Sequence, residues 1–253
     1  MTITGPETGI TERLKVGDID GFVVKNNTTT AVTITAGRME ANGKKYVLSA
    51  DASHTMTSLA AGADFHYLYI DDTASSPPTA TIIDSTTEPS LDAAKRGWYN
   101  GDDKLVGLVY SPAGSAVVRY FDLVQISPNY ARIEFPDFQL DFSLASAMVP
   151  SGSWQTPDDN ESSVFTPVNA KEIKLRLIGS DSTPATSELS CLNSEDAATY
   201  PVITRSPYYV RNYDDNYFIN WVILGASRKI KIAGGVTDDN ALYCWMSGFG
   251  YER

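Results

Sequence analysis

Hydrophobic and polar residues alternate along much of this chain, whereas a sustained period of 3.6 residues is hard to find. In KEIKLRLIG, Ile173, Leu175 and Leu177 form an apolar face. The charged residues between them, Glu172 among them, form a wet face, which is the pattern of a half-buried antiparallel strand. In residues 65–70, FHYLYI, both alternating sets are apolar or aromatic, which predicts a strand buried on both faces. We therefore predict an all-β fold.

Turn-forming residues separate the apolar runs. Asn42-Gly43, between GRMEA and KKYVLSA, predicts a β-hairpin, because both residue types tolerate the positive φ angles of a tight hairpin turn. Only EPSLDAAKRGW has a helix-like pattern, with Ser90 as an N-cap and Gly97 as a stop. That segment predicts about two turns of helix at most.

The chain length points to more than one domain. At 253 residues it exceeds the ~100–150 residues of a typical domain, although a single large all-β domain is the alternative. Strand-like runs stop near Ile126, and the following segment is rich in Pro, Asp and Ser before alternation resumes at Lys171. We therefore predict one β domain over residues 1–126 and a second over 127–253, whose opening segment, 127–165, is partly linker.

The charge balance argues against two classes of partner. The chain has 20 Lys and Arg against 31 Asp and Glu, a net charge of -11, and no basic run. Such a chain repels a phosphate backbone, so we expect neither nucleic acid nor an anionic membrane as a partner. The first ten residues, MTITGPETGI, lack the regions of a signal peptide, and no apolar run approaches the ~20 residues of a membrane helix. We expect a protein made in the cytosol without a signal peptide.

Residues suited to catalysis or metal binding are sparse. The two histidines are His54, which has no obvious Asp partner, and His66, whose aromatic strand predicts a packed or edge histidine. Cys191 and Cys244 lie in different strand-like segments without CxxC spacing, which favours two buried thiols over a disulfide or a metal pair. No glycine-rich loop opens a helix to bind phosphate. We therefore predict no enzymatic activity, no cofactor and no metal site.

Acidic residues leave two alternatives open. Adjacent aspartates recur in turn-like settings and favour Asx turns, although a glycosidase could use two of them across a groove. Asp18 and Asp20, in GDIDG, match part of a calcium loop, but the other ligand positions of an EF-hand are missing. The aspartate pairs are Asp71-Asp72, Asp102-Asp103, Asp158-Asp159, Asp214-Asp215 and Asp238-Asp239.

Aromatic residues make up 11% of the chain and cluster in SPYYVRNYDDNYFINW and LYCWMSGFGYER. We favour core positions for Trp221, Trp245 and Phe218. The tyrosines alternate with polar residues, which is typical of an amphipathic loop that stacks on sugar rings or fills a protein interface. The candidate contact residues for a glycan or a partner are Tyr208, Tyr209, Arg211, Tyr213 and Tyr217.

Three motifs follow one another in the first half: ITAGRM at 34–39, a Tyr-rich strand at 67–71, and GWYNGDDKLVGLVY at 97–110. In these motifs the chain resembles tail-fibre and head-fibre modules of bacteriophages, in which the third motif is a hairpin. The stretch from Asn220 to the last residue is similar to the end of a virion surface protein, where a final strand closes a jelly-roll-like sandwich. The resemblance implies trimeric assembly and attachment to a capsid or tail, and it carries no catalytic residues.

Together these observations predict a non-enzymatic structural component of the bacteriophage virion exterior, a homotrimeric fibre or spike protein. The first domain would be an attachment module and the second a jelly-roll-like β-sandwich. Its expected partners are copies of itself, capsid or tail proteins, and host cell-surface polysaccharide. A capsid decoration protein that stabilises the head is the alternative, and a polysaccharide hydrolase is the less favoured one.

Overall fold

The fold is built from β-strands. The computed structural model describes residues 15–60, 64–112, 114–136, 166–179, 189–193, 217–224, 230–234 and 242–253. All helical or extended elements within these ranges are β-strands, and none is a helix, so the all-β prediction is confirmed. No helix of the described part is long and apolar enough to cross a membrane.

The described strands are, in chain order, β1 (Ile19–Gly21), β2 (Val24–Asn26), β3 (Ala31–Ile34), β4 (Gly37–Ala41), β5 (Lys44–Leu48), β6 (Ala52–Thr55), β7 (Asp64–Ile70), β8 (Ile82–Ser85), β9 (Ser90–Asp92), β10 (Gly97–Asn100), β11 (Asp103–Ser111), β12 (Asp122–Ser127), β13 (Tyr130–Glu134), β14 (Ala170–Gly179), β15 (Leu189–Asn193), β16 (Tyr217–Ile223), β17 (Ile230–Gly234) and β18 (Leu242–Glu252).

These strands form several antiparallel sheets. The N-terminal strands make a sheet of order β1-β4-β5, a second of order β2-β3-β6, and a five-stranded sheet of order β8-β7-β11-β10-β9. The C-terminal strands make a five-stranded sheet of order β12-β13-β18-β14-β16 and the pair β15-β17. All of these strand pairs are antiparallel, so connections between sequence neighbours can be tight turns.

The core contains residues from both halves of the chain. β7 is buried from Phe65 to its last residue, which confirms the prediction of a strand buried on both faces. The ring of Phe65 lies 5.4 Å from that of Tyr110 on β11 and 5.5 Å from that of Phe249 on β18. Phe135, just after β13, packs 6.1 Å from Phe249. The two five-stranded sheets therefore contribute to one aromatic cluster.

The predicted domain boundary after residue 126 falls within β12, which ends at Ser127. β12 pairs with β13, which begins at Tyr130 and pairs in turn with β18. The guanidinium of Arg253 donates hydrogen bonds to the carbonyl oxygens of Gly21, at 3.1 Å, and Phe22, at 2.9 Å. The last residue of the sequence thus contacts the N-terminal strands. The division into two domains and the jelly-roll arrangement stay predictions.

The Asn42-Gly43 hairpin is confirmed, and the predicted helix is wrong. Asn42 and Gly43 have φ angles of 51° and 75° between the paired strands β4 and β5. The segment predicted as a helix forms a hairpin of β9 and β10 instead. The Asp92 carboxylate accepts hydrogen bonds from the backbone N–H groups of Ala94 and Lys95, each at 3.0 Å, and Arg96 has a φ of 52°. An Asx turn therefore takes the place of the first helical turn.

Candidate functional site

Most of the predicted contact residues lie outside the described part of the chain. This holds for Tyr208, Tyr209, Arg211 and Tyr213, whereas Tyr217 is the first residue of β16. The role of these five residues in contact with a glycan or a partner stays a prediction.

The two cysteines lie on strands of different sheets. Cys191 is on β15, in the two-stranded sheet, and Cys244 is on β18, in the C-terminal five-stranded sheet. Their side chains are outside the described part, so the prediction of two buried thiols is not tested.

The C-terminal five-stranded sheet presents one face with organised polar and aromatic side chains. Strand register aligns two rows of residues across it. Ile133, Ile173 and Phe249 point to the opposite side and are buried in the core. We call these two rows the row face: Val124, Arg132, Gly250, Glu172 and Ile223 in one row, and Asp122, Glu134, Gly248, Lys174 and Trp221 in the other.

Glycine at two positions of β18 leaves room for neighbouring side chains at the centre of the row face. A Cβ at Gly250 would overlap the Tyr130 hydroxyl and the Glu172 carboxylate. A Cβ at Gly248 would overlap the backbone carbonyl of Ile133. Because Gly250 has no side chain, the side chains of β13 and β14 meet above β18.

An ion pair crosses the glycine strand. The Glu172 carboxylate accepts hydrogen bonds from Arg132 Nε at 2.5 Å, Arg132 Nη2 at 2.9 Å and the Tyr130 hydroxyl at 2.5 Å. Glu172 is only 7% exposed, so its assignment to a wet face was wrong. The hydrogen bond to Glu172 raises the pKa of Arg132, and burial together with the same carboxylate raises the pKa of Tyr130. The bidentate geometry fixes the guanidinium plane.

Trp221 lies beside this ion pair. The Arg132 guanidinium is 4.4 Å from the centre of the Trp221 ring, and Lys174 Nζ is 5.8 Å from it. Lys174 also contacts the Glu134 carboxylate at 2.5 Å. Trp221 is half-buried on the row face, although the sequence favoured a core position for it. Two cations that are themselves paired with carboxylates therefore lie close to the Trp221 ring.

Exposed apolar residues lie on the two edge strands of this sheet. Val124 and Ile126 on β12 are 48% and 51% exposed, and Ile223 on β16 is 70% exposed. Among the described residues, β12 pairs only with β13 and β16 only with β14. In the described ranges, neither edge strand has a second hydrogen-bonded strand beside it, and both carry exposed apolar side chains, which is an arrangement suited to contact with another chain.

A polar cavity of about 410 Å³ lies at the turns of the N-terminal hairpins. Its carboxylates are already engaged. The Glu40 carboxylate accepts hydrogen bonds from the N–H groups of Gly17 and Gly43, each at 2.6 Å, and Asp102 pairs with Lys95 at 2.8 Å. The residues that line the cavity are Val16, Glu40, Asn42, Gly43, Asp72, Ala94, Lys95 and Asp102.

The acidic candidates for metal binding or hydrolysis are dispersed in the described part of the chain. Asp18 accepts a hydrogen bond from Lys15 N at 2.7 Å, and Asp20 pairs with Arg38 at 3.2 Å. Asp71 accepts hydrogen bonds from the backbone N–H groups two and three residues later, so its Asx-turn prediction is confirmed. No group of three His, Cys, Asp or Glu side chains in the described ranges could hold a metal ion. The pairs Asp158-Asp159, Asp214-Asp215 and Asp238-Asp239 lie outside those ranges.

His54 does have an Asp partner, contrary to the expectation from sequence. Its Nε2 lies 2.7 Å from Asp84 Oδ1, between β6 and β8. Ser58 Oγ lies 2.8 Å from Nδ1 of the other histidine, His66. The serine and the carboxylate thus bind different histidines, which is not the arrangement of a Ser-His-Asp triad. His66 is buried, as the sequence predicted.

Comparisons with known proteins add no family. No protein-family model matches this sequence, and no curated protein matches it. Among the described residues, the row face with its two exposed edges is the strongest candidate for function. Trp, Tyr and Arg are the residue types that contribute most to binding at protein interfaces, and all three meet there.

Proposed function

We propose that this chain is a non-enzymatic structural component of the bacteriophage virion exterior, a homotrimeric fibre or spike protein that contacts the host surface. The observation that carries the proposal is an all-β architecture with one sheet that exposes apolar residues on both edge strands. The phage-fibre resemblance of residues 34–39, 67–71 and 97–110 supports it from the sequence. In the structure, residues 34–39 join the end of β3 to the start of β4, residues 67–71 cover the second half of β7 and the residue after it, and residues 97–110 form the β10–β11 hairpin.

The two edges of the sheet suit association in a ring. Four antiparallel steps separate β12 from β16, so the two strands run in the same direction. A copy rotated about an axis parallel to the strands can therefore add its β16 to the β12 edge of a neighbour as a parallel pair. Such a contact joins the β16 edge of one copy to the β12 edge of the next. Repeated contacts close into a ring when the rotation between neighbouring copies is a whole fraction of a full turn. Val124 and Ile223 belong to one row, so they would come together across the new pair.

Contact with the host surface would use the tyrosines predicted from the sequence. Tyr217 begins β16, the strand that also carries Trp221 and the exposed Ile223. In a trimer, three equivalent sets of aromatic residues would act together, and weak contacts with a polysaccharide would gain by avidity. The paired charges of Arg132 and Lys174 leave the row face without a large excess of either sign, which suits a neutral partner or another protein.

Sedimentation equilibrium of the purified chain tests the assembly. We expect a mass three times that of one chain at micromolar concentration. Val124→Lys places a charge on the β12 edge and should give monomers, because edge lysines prevent strand pairing. Leu91→Lys is the matched control, since Leu91 is also exposed, at 57%, but lies on β9 in the other five-stranded sheet. A monomeric wild type, or equal disruption by both substitutions, would contradict this assembly.

A further inference from the structure

Residues 56–60, which follow β6, are held against β7 and β8 by polar contacts; we call them the 56–60 segment. The Asp84 carboxylate accepts hydrogen bonds from the N–H groups of Thr57, at 2.9 Å, and Ser58, at 2.6 Å. The Ser58 hydroxyl contacts His66 Nδ1 at 2.8 Å. Asp84 on β8 thus binds both Thr57 and Ser58, and His66 on β7 binds Ser58 alone.

The surroundings of His66 suit its neutral form. The residue is fully buried, and its Nε2 has no hydrogen-bond partner among the described residues. A neutral imidazole needs only one donor, which can be Nδ1–H pointing at Ser58 Oγ. Protonation would add a positive charge and an Nε2–H group, for which the described residues offer no acceptor. A buried donor without an acceptor is costly, so the closed structure disfavours the imidazolium on geometry alone.

Charged groups near His66 only partly offset that cost. Asp64 on its own strand and Asp84 on β8 favour the charged ring, whereas burial has the larger effect and lowers the pKa of His66. The residue opposite His66 on β11 is Val109, which carries no charge. His54 on β6 lies behind Asp84 and contacts it directly.

Asp84 itself stays ionised in mild acid. Burial alone would raise the pKa of Asp84, but hydrogen bonds from His54, Ser58 and Thr57 outweigh burial and hold that pKa well below its usual range. The Asp84 carboxylate therefore keeps its charge at pH 5.5 and still accepts these hydrogen bonds whenever the segment is closed. We therefore assign the response to mild acid to His66 rather than to Asp84.

We propose that the 56–60 segment is an acid-sensitive latch, which opens more readily when His66 is protonated, because the closed segment leaves the Nε2–H group of the imidazolium without an acceptor among the described residues. An open segment exposes the imidazole to water, where it regains its ordinary proton affinity. The closed form is thus fully favoured above about pH 6.5 and loses its advantage as the pH falls below that value. This inference goes beyond the proposed function and does not depend on it.

Hydrogen exchange of the 56–60 amides tests the latch. After correction for the intrinsic exchange rate, we expect protection in the wild type to fall by up to about tenfold between pH 7.5 and pH 5.5. That ratio follows from the uptake of one proton by an exposed histidine, whose ordinary pKa is about 6.5. His66→Gln keeps an amide donor but cannot titrate, so its protection should not change with pH. His54→Gln removes the other histidine and should keep the pH response.

Three results would overturn the latch: no pH response in the wild type, an unchanged response in His66→Gln, or loss of the response in His54→Gln alone. Nuclear magnetic resonance of the His66 ring in the wild type gives a readout that does not depend on the folding of any variant. We expect the ring of the closed form to titrate below the ordinary histidine pKa, because burial lowers the pKa of His66. Titration of that ring at or above pH 6.5 would contradict the proposal.

Discussion

Lys104 gives the most quantitative prediction about stability. Its side chain is fully buried, and Nζ donates hydrogen bonds to the backbone carbonyl oxygens of Gly17, at 2.7 Å, and Glu40, at 2.9 Å. Burial lowers the pKa of Lys104 from 10.5 to about 8, although the negative charges of Glu40 and Asp18 oppose the shift. Lys104 therefore loses its proton in the folded protein at a lower pH than in the unfolded chain.

The sign of the pH effect follows from proton counting. Between about pH 8 and pH 10.5 the unfolded chain binds more protons at this residue, so the free energy of unfolding rises with pH. With the two pKa values above, Lys104 alone should add about 2 kcal/mol between pH 7 and pH 9.5. Measurements should stop at pH 9.5, because burial raises the pKa of Tyr46 and Tyr99 in the fold. Those tyrosines favour unfolding once unfolded tyrosine ionises, near pH 10.

Urea unfolding at pH 7 and pH 9.5 measures this effect. The substitution Lys104→Met keeps an unbranched side chain and removes the titrating group. The rise in the free energy of unfolding from pH 7 to pH 9.5 should therefore be about 2 kcal/mol smaller in Lys104→Met than in the wild type. Lys45→Met is the control, because Lys45 is exposed on the adjacent hairpin strand β5 and its replacement should leave the wild-type difference intact. A wild-type pH response that survives in Lys104→Met would refute the reasoning.

Two further predictions concern the row face. Gly250→Ala should lower the free energy of unfolding by about 2 kcal/mol, because the added methyl group would overlap the Tyr130 hydroxyl and the Glu172 carboxylate. Urea unfolding measures this change. A loss of less than about 0.5 kcal/mol would contradict the close approach of these side chains to Gly250. Arg132→Met should cost about 2 kcal/mol by leaving the Glu172 carboxylate buried without its main partner. The same substitution should shift the fluorescence of Trp221, since it removes the cation above the ring, and the conservative Arg132→Lys should restore only part of the stability.

Local signals in the sequence were enough to find several strands and turns. The alternation in residues 65–70 predicted a strand buried on both faces, because a central strand of a covered sheet has no wet side. Asn42-Gly43 predicted its hairpin because few other residue pairs adopt two positive φ angles. The helix predicted for EPSLDAAKRGW failed because the Asp92 side chain binds its own backbone two and three residues later, and strand pairing on both sides then completes a hairpin.

Contacts between distant residues could not be predicted from local patterns. Glu172 occupies a charged position of an alternating strand, yet it is buried because Arg132, forty residues earlier, reaches it across a glycine. The alternate glycines of SGFGY indicate that neighbouring side chains can cross this strand. Which side chains do so depends on the strands that flank β18, and the local sequence does not give those strands. The contact of His54 with Asp84 likewise joins residues thirty positions apart, on strands of two different sheets.

If a phage encodes this chain, as proposed, cryo-electron microscopy of the purified phage particles tests the central claim most directly. The account predicts density on the particle exterior with threefold symmetry, into which three copies of the β12-β13-β18-β14-β16 sheet fit with their edges in contact. Density at a tail or at isolated capsid positions would favour a fibre, and density repeated over the whole capsid lattice would favour decoration. Particles that lack the chain, or that hold it inside the capsid, would contradict a role on the virion exterior.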